Sequence, residues 1–234
     1  MTLDPIATVR SCFGGKFAVP RQPGLCPSAW GRLVFHEPYR SPEAVRGIEG
    51  FSHLWLIFGF HETLAQGWKP TVRPPRLGGN QRIGVFASRS TFRPNGLGLS
   101  LVKLEGVERA GEGPVLLLGG IDLLDGTPVY DVKPYLPYAE AVQKAVSGFA
   151  AEAIDRLPVV VDAAAEFDFK NLPARAQAVL MEALSLDPRP ATQTATPERI
   201  FGAALCGCEV RFVVQEGICR IVSIEVAAGS GLNA

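Results

Sequence analysis

The sequence predicts a mainly β protein that ends in a small α+β part, and three observations carry that expectation. Residues 1–165 read as short apolar segments separated by Gly, Pro and Asn, the texture of strands and turns. Residues 53–61 alternate between two faces as a strand does. Ala, Leu, Met and Glu reach helical density at residues 174–186, after that texture has changed. With 47% hydrophobic and 20% charged residues among 234, the chain is too apolar to be disordered. It is long enough for one large domain with an appendage, or for two small ones.

In the first strand, Leu54, Leu56, Phe58 and Phe60 share one face and His53, Trp55, Ile57 and His61 the other, and both are apolar enough to be covered. Residues 83–90, 99–104, 115–118 and 127–132 read as further strands. Turns at Pro94-Asn95-Gly96, Gly111-Glu112-Gly113 and Asp125-Gly126 separate them. Several such strands in one domain suggest a barrel or a sandwich. In the last of them Thr127, Val129, Asp131 and Lys133 are expected on one face. Pro74, Pro75, Gly78, Gly79 and Asn80 form an irregular connection that displays Arg73 and Arg76. Residues 174–186 predict a helix stopped at Asp187-Pro188, and residues 209–215 and 218–226 predict a hairpin around Glu216-Gly217. This second part, residues 166–234, is too small for a large core and should pack on residues 1–165 or on a partner.

The formal charge is zero, but it is unevenly placed: residues 1–105 hold 13 basic against 6 acidic side chains, and residues 106–234 hold 10 against 17. Residues 69–103 carry Lys69, Arg73, Arg76, Arg82, Arg89, Arg93 and Lys103 and no acid, which attracts anions locally despite overall neutrality. Five cysteines argue against a secreted disulfide framework, the first residues show no signal-peptide pattern, and no segment approaches the ~18 apolar residues of a membrane span. A soluble cytoplasmic protein with no membrane partner is expected.

Glycine-rich dinucleotide, Walker and nucleophile-elbow signatures are absent. His53 and His61 with Cys206 and Cys208 match no standard zinc spacing. The cysteines read as small core residues and His53 as a hydrogen-bonded strand histidine, whereas His61 ends a strand beside Glu62. The richest polar segment is GVFASRSTFRPNGLGLS, residues 84–100. Arg89 and Arg93 there can fork onto carboxylate or phosphate, and Gly96 and Gly98 allow close backbone approach. The same segment could be only a solvated turn. A second polar loop, DLLDGTP at residues 122–128, leads into YDVKPY, where Asp131 and Lys133 are either a surface ion pair or a substrate clamp. A third, PRQPG at residues 20–24, holds an arginine and an amide between two prolines.

KFAVPRQPGL, RGIEGFSHLWLIFGFHE, WKPTVRPPRLGGNQRIGVFASRSTFRPN, IDLLDGTPVYDVKPYLPY and SLDPRPA occur in this order. Together they resemble the tRNA methyltransferases of the TrmO type, also called the YaeB or TsaA-like family. The resemblance is nearly continuous over residues 6–138. It implies a compact β-barrel N-terminal domain that binds S-adenosylmethionine, a small C-terminal domain and a homodimer. It also implies methyl transfer to the exocyclic nitrogen of threonylcarbamoyladenosine, the modified adenosine just 3′ of the anticodon, so that the partner is a tRNA anticodon arm. Gly96 stands where the family usually has a proline, Thr192 where an aromatic is common, and Glu209-Val210-Arg211-Phe212 where it usually reads D-V-R-W.

The resemblance puts the cofactor pocket on Pro20, Arg21, Gln22, His61, Glu62, Arg89, Leu99, Asp122, Leu123, Leu124 and Asp125, with the Leu99 backbone meeting the adenine. The acceptor nitrogen is a poor nucleophile until its proton leaves, so the enzyme needs a proton acceptor, for which Asp131 is the candidate. Lys133 would hold the threonyl carboxylate or a phosphate. Lys69, Arg73, Arg76, Arg82 and Arg93, extended by Arg189, would form the RNA-facing surface. Two other readings stay open: a binding module for the same cofactor, and an enzyme acting on another RNA or a small molecule.

Overall fold

The computed structural model describes residues 3–189 and 199–227. Strands β1 (Ala7–Ser11), β2 (Trp30–Phe35), β3 (His53–Gly59), β4 (Thr71–Val72), β5 (Ile83–Gly84), β6 (Leu97–Ala110), β7 (Gly113–Gly119) and β8 (Thr127–Pro134) make up the first part. Six of them close into an antiparallel barrel in the order β1-β2-β7-β6-β3-β8, with β8 returning to β1 through Val129 opposite Ala7. Closure leaves no free sheet edge around most of the circumference.

The barrel interior is filled by period-two alternation. Ala7 and Val9 of β1, Leu33 of β2, Leu54, Leu56 and Phe58 of β3, and Leu116 and Leu118 of β7 all point inward and are buried. The alternation expected for residues 53–61 is present: Leu54, Leu56 and Phe58 share the inward face, and His53, Trp55 and Ile57 on the other face are half-buried. Phe58 lies directly opposite Gly98 of β6, and a Cβ there would sit 2.3 Å from the Phe58 ring, so glycine is required for the ring to cross the barrel. Gly96, just before β6, has φ +60 and ends the tight turn that the sequence signalled at residues 94–96.

Two expected strands differ in the structure. β8 carries a bulge: Phe58 pairs with Val129 but Ile57 pairs with Asp131, so Tyr130 is an extra residue. Thr127 and Val129 face the core, whereas Asp131 and Lys133 are exposed on the outside. The bulge splits the single face expected for these four residues. In residues 83–90 only Ile83–Gly84 is strand, paired with β4, and a 3-10 turn follows at Val85–Ala87. Ser88 donates its hydroxyl to the Val85 carbonyl, and Arg93 donates to the carbonyls of Val85 and Ser88, so side chains take the acceptors that a strand would need.

A short helix α1 (Pro137–Glu140) leaves the barrel, and the second part follows as β9 (Val159–Val161), α2 (Ala163–Asn171), α3 (Ala174–Ser185), β10 (Phe201–Leu205), β11 (Cys208–Gln215) and β12 (Ile218–Val226). Helix α3 occupies the expected span, and Ala176, Val179, Leu180, Ala183 and Leu184 form its buried stripe. The hairpin β11–β12 is also present, but within a four-stranded sheet of order β10-β11-β12-β9. The sequence reading missed β9, α2 and β10, which are short or nearly without an apolar stripe. β9 precedes residue 166 and runs parallel to β12, so the second sheet recruits chain from before that position.

The second part packs on the barrel. Glu182 of α3 accepts from the Ser28 amide at 2.9 Å and the Ser28 hydroxyl at 2.8 Å, and Arg175 donates to the Ser28 carbonyl and to Glu105. Phe13 bridges Leu205, the Cys206 amide donates to the Cys12 carbonyl at 2.7 Å, and Phe17 stacks on Phe201 and Phe212. One apolar core runs through both parts. All five cysteines are buried free thiols within it, including Cys206 and Cys208, which the sequence reading took as small core residues.

Candidate functional site at one end of the barrel

The ends of β1, β3 and β7 and the starts of β2, β6 and β8 lie at the same end of the barrel. Three loops therefore converge there: residues 12–29 after β1, residues 60–96 after β3, and residues 120–126 after β7. These loops carry PRQPG, FHE, SRS and DLLD, the polar clusters of the sequence.

Arg89 joins two of the loops, donating its guanidinium to the side-chain oxygen of Gln22. Its charge also favours the ionised form of Asp122 in the third. Asp122 accepts a hydrogen bond from Ser100, a fully buried hydroxyl on the inner face of β6. Burial pushes the Asp122 carboxyl up to about 6, against the smaller opposing pulls of the Ser100 hydrogen bond and the Arg89 charge. A half-buried carboxyl raised above its usual range in a cluster of polar loops marks a functional candidate.

The remaining expected residues divide. Glu62 accepts from the Lys16 ammonium at 2.9 Å, and that hydrogen bond, aided by the Lys16 charge, holds its carboxyl below the usual range. His61 lies beside it, with Nε2 3.9 Å from the Glu62 carboxylate. Asp125 is anchored to β1: it accepts from the Ser11 amide at 2.9 Å and pairs with Arg10 at 3.5 Å. Leu123 is buried, its carbonyl accepting from the Ser11 hydroxyl, and the Leu124 carbonyl accepts from Thr127. These residues shape the loop through the backbone. Pro20 and Arg21 turn toward a cavity of about 580 Å³ between the two parts, which Arg76, Asp155, Asp187 and Arg189 also line.

Leu99 is half exposed and sits on the outer face of the barrel, in a row with Ile57 and Asp131. Its neighbour Ser100 points inward to Asp122, so β6 at this point is flanked by both clusters. β7 pairs with β6 only from Lys103 onward, and among the described residues no strand covers the other edge of β6 over residues 97–102. That uncovered edge offers backbone donors and acceptors beside Asp122.

Asp131 is exposed, accepts from the Val132 amide, and lines a second cavity of about 650 Å³ at the opposite end of the barrel, with Ile6, Phe35, Tyr39 and Phe51. Lys133 lies opposite Trp55 on the outer face. Arg73 and Arg82 are exposed and make no hydrogen bond or ion pair among the described residues, and Arg76 donates to the Glu152 carbonyl. Lys69 lies 4.2 Å from the Phe92 ring centre. Two arginines expected on the RNA-facing surface also have protein partners. Arg93 braces its own loop through the Val85 and Ser88 carbonyls. Arg189 is buried and forks onto Asp187 at 2.7 and 2.8 Å, so it lines the crevice instead of extending an exposed patch. Sequence reasoning missed Ser100 and Lys16. An inward polar residue next to outward Leu99 signals Ser100, whereas nothing in the sequence signals Lys16.

Fold and site together define a β-barrel protein with a cluster of polar loops at one end and a basic arm, residues 68–93, among them, and with none of the glycine-rich turns of the common nucleotide folds. Residues 8–141 match the tRNA-methyltransferase O N-terminal domain and residues 155–227 the TrmO C-terminal domain. The chain belongs to the TrmO family. It is 50% identical over 192 residues to the tRNA (adenine(37)-N6)-methyltransferase of Escherichia coli K12, covering 80% of this chain and 82% of that one. The protein of that name from Eikenella corrodens is 48% identical over 179 residues, 76% of this chain and 99% of its own. The crystal structure of TrmO from Pseudomonas aeruginosa superposes with a TM-score of 0.78 at 37% identity, covering 96% of this chain and 97% of that one.

Proposed function

We propose that this chain is an S-adenosylmethionine-dependent tRNA methyltransferase that methylates the exocyclic nitrogen of adenosine 37, with the threonylcarbamoyl form of that adenosine as its acceptor. Membership of the TrmO family over both domains supports the reaction and its cofactor. The observation that carries the site is the pair of hydrogen bonds at one barrel end, Arg89 to Gln22 between two loops and Ser100 to Asp122, which holds the third loop at the uncovered edge of β6.

These residues fit the cofactor. A guanidinium suits its carboxylate, the carboxylates of Asp122 and Glu62 suit its ammonium and ribose hydroxyls, and the free backbone at Leu99 suits an adenine edge. Bound there, S-adenosylmethionine supplies an electrophilic methyl group on a positively charged sulfur. The protein's part is to hold that group in line with the acceptor nitrogen and to take the acceptor's proton. Asp131 is the proposed proton acceptor. It is exposed, and its strand position is two strand spacings, about 10 Å, from Leu99 across the outer face, so the acceptor nucleoside has to span the face of β3 for its proton to reach Asp131 directly or through water. Lys133, two residues on, holds the threonyl carboxylate or a phosphate. Exposed apolar side chains at Leu99 on the outer face and at Leu136 and Tyr138 beyond β8 support a homodimer. No helix among the described residues is long and apolar enough to cross a membrane, and a tRNA substrate supports a cytoplasmic protein.

Incubation with S-adenosylmethionine and tRNA carrying unmethylated threonylcarbamoyladenosine, followed by mass analysis of the digested nucleosides, tests the reading. One added methyl on that nucleoside is the expected outcome. Methyl transfer to a different nucleoside would redirect the proposal to another RNA acceptor.

A further inference from the structure

Phe86 is 74% exposed and Trp68 54% exposed, and both belong to the basic arm. An exposed ring on a loose loop means little, but the Phe86 turn is fixed. The Val85 amide donates to the Pro70 carbonyl at 3.0 Å, and the Val85 carbonyl accepts from the Ser88 hydroxyl at 2.8 Å and from Arg93 at 3.2 Å. The Arg93 guanidinium lies 5.8 Å from the Phe86 ring centre. The segment after Trp68 is pinned likewise, by the Lys69 amide donating to the Phe92 carbonyl and by the Lys69 ammonium over the Phe92 ring. The two rings are thus presented by backbone already ordered in the free protein, and Arg89, three residues from Phe86, reaches into the proposed cofactor pocket.

We propose that Phe86 and Trp68 form a stacking platform for unpaired nucleobases that flank the target adenosine. The inference rests on the tRNA reading above and deepens it. An adenosine that must meet a reactive methyl group leaves its stack, and its neighbours then need new surfaces. Aromatic rings set among cations bind unstacked bases by a sequence-tolerant contact. The charge around the rings selects this occupant: residues 69–103 contain no acid, and Arg73 and Arg82 are without protein partners among the described residues. A polyanion neutralises that surface, whereas an apolar patch of a second copy would leave the cations unpaired.

The test uses the full chain with F86A, W68A, F86Y and W68Y, an anticodon stem-loop RNA, and S-adenosylmethionine. Each alanine variant should bind the stem-loop about tenfold or more weakly, in line with loss of one stacked base. The KM for tRNA should rise more than kcat falls, and affinity for S-adenosylmethionine should hold. The slope of log affinity against log salt should also hold, because stacking releases no counterions. The tyrosine variants should restore binding. Alanine variants that bind the stem-loop as wild type does, while wild type binds it well, would overturn the platform and leave the tRNA reading intact. A change in sedimentation from dimer to monomer on F86A would overturn it in favour of a contact between copies. Failure of wild type itself to bind the stem-loop would overturn both the platform and the tRNA reading.

Discussion

Arg89 donates to the side-chain oxygen of Gln22 across 67 positions of sequence, so one hydrogen bond joins two of the three loops at the barrel end. Arg89→Ala should weaken S-adenosylmethionine binding by about 1.5–3 kcal/mol, the range for hydrogen bonds to a charged group. Arg89→Lys should recover little of it, since an ammonium cannot reproduce a planar fork. Arg89 is exposed, so thermal stability should stay near that of wild type. Titration calorimetry with the melting temperature as control checks both expectations; equal affinity in R89A would remove Arg89 from the pocket.

Asp122 gives the site a pH dependence with a defined sign. Its carboxyl is lifted from 3.8 to about 6 by burial, so the folded state binds the proton more tightly than the unfolded chain does. Its contribution to stability is therefore most favourable below about pH 4, falls as pH rises to about 6, and is constant above. Asp122→Asn should stabilise the fold at neutral pH by on the order of 2 kcal/mol and change it little near pH 4. Cofactor affinity should run the other way, weakening in wild type as pH falls through about 6, because only the carboxylate attracts an ammonium. Thermal melts and calorimetry across this range, on wild type and D122N, measure both. Equal destabilisation of D122N at both ends of the range would contradict the assignment.

Gly98 should tolerate no side chain while Phe58 keeps its ring. A Cβ would lie 2.3 Å from that ring, and Gly98→Ala should cost about 1–3 kcal/mol in urea unfolding, as overpacking does. Adding Phe58→Leu should return part of the loss, since leucine vacates the space the ring fills. A G98A protein as stable as wild type would show that the ring is free to move.

The barrel was legible where one residue type marks one face, and illegible where local bonding decides. Leu54, Leu56 and Phe58 announce a strand by alternation, and residues 174–186 announce a helix by composition. The bulge at Tyr130 leaves no such mark, because it depends on the register against Ile57 and Phe58, which only the folded partner strand sets. β9 and β10 are short and hold their place through β12 and β11. For the site, loop chemistry named Gln22, Arg89 and Asp122 individually. Their meeting, and the inward Ser100 that completes it, follows from barrel closure. The burial of Arg189 and the bracing role of Arg93 have one reason for being illegible: a cation in sequence shows its charge but not the Asp187 carboxylate or the carbonyls that it satisfies in the fold.

Arg73 and Arg82 should act through charge alone. Each replaced by alanine should weaken tRNA binding uniformly across isoacceptors and reduce the slope of log affinity against log salt by about 1, without altering affinity for S-adenosylmethionine. Filter binding over a salt series checks this. Unchanged slopes in the double variant would mean that RNA approaches another face.

Methyl transfer to the two forms of one tRNA tests the central claim most directly. With isotopically labelled S-adenosylmethionine and saturating enzyme, tRNA bearing threonylcarbamoyladenosine at position 37 should gain one labelled methyl on that nucleoside, and the same tRNA with unmodified adenosine should gain none. Cofactor bound at the barrel end with no label in either tRNA would contradict the assignment of this chain as the enzyme.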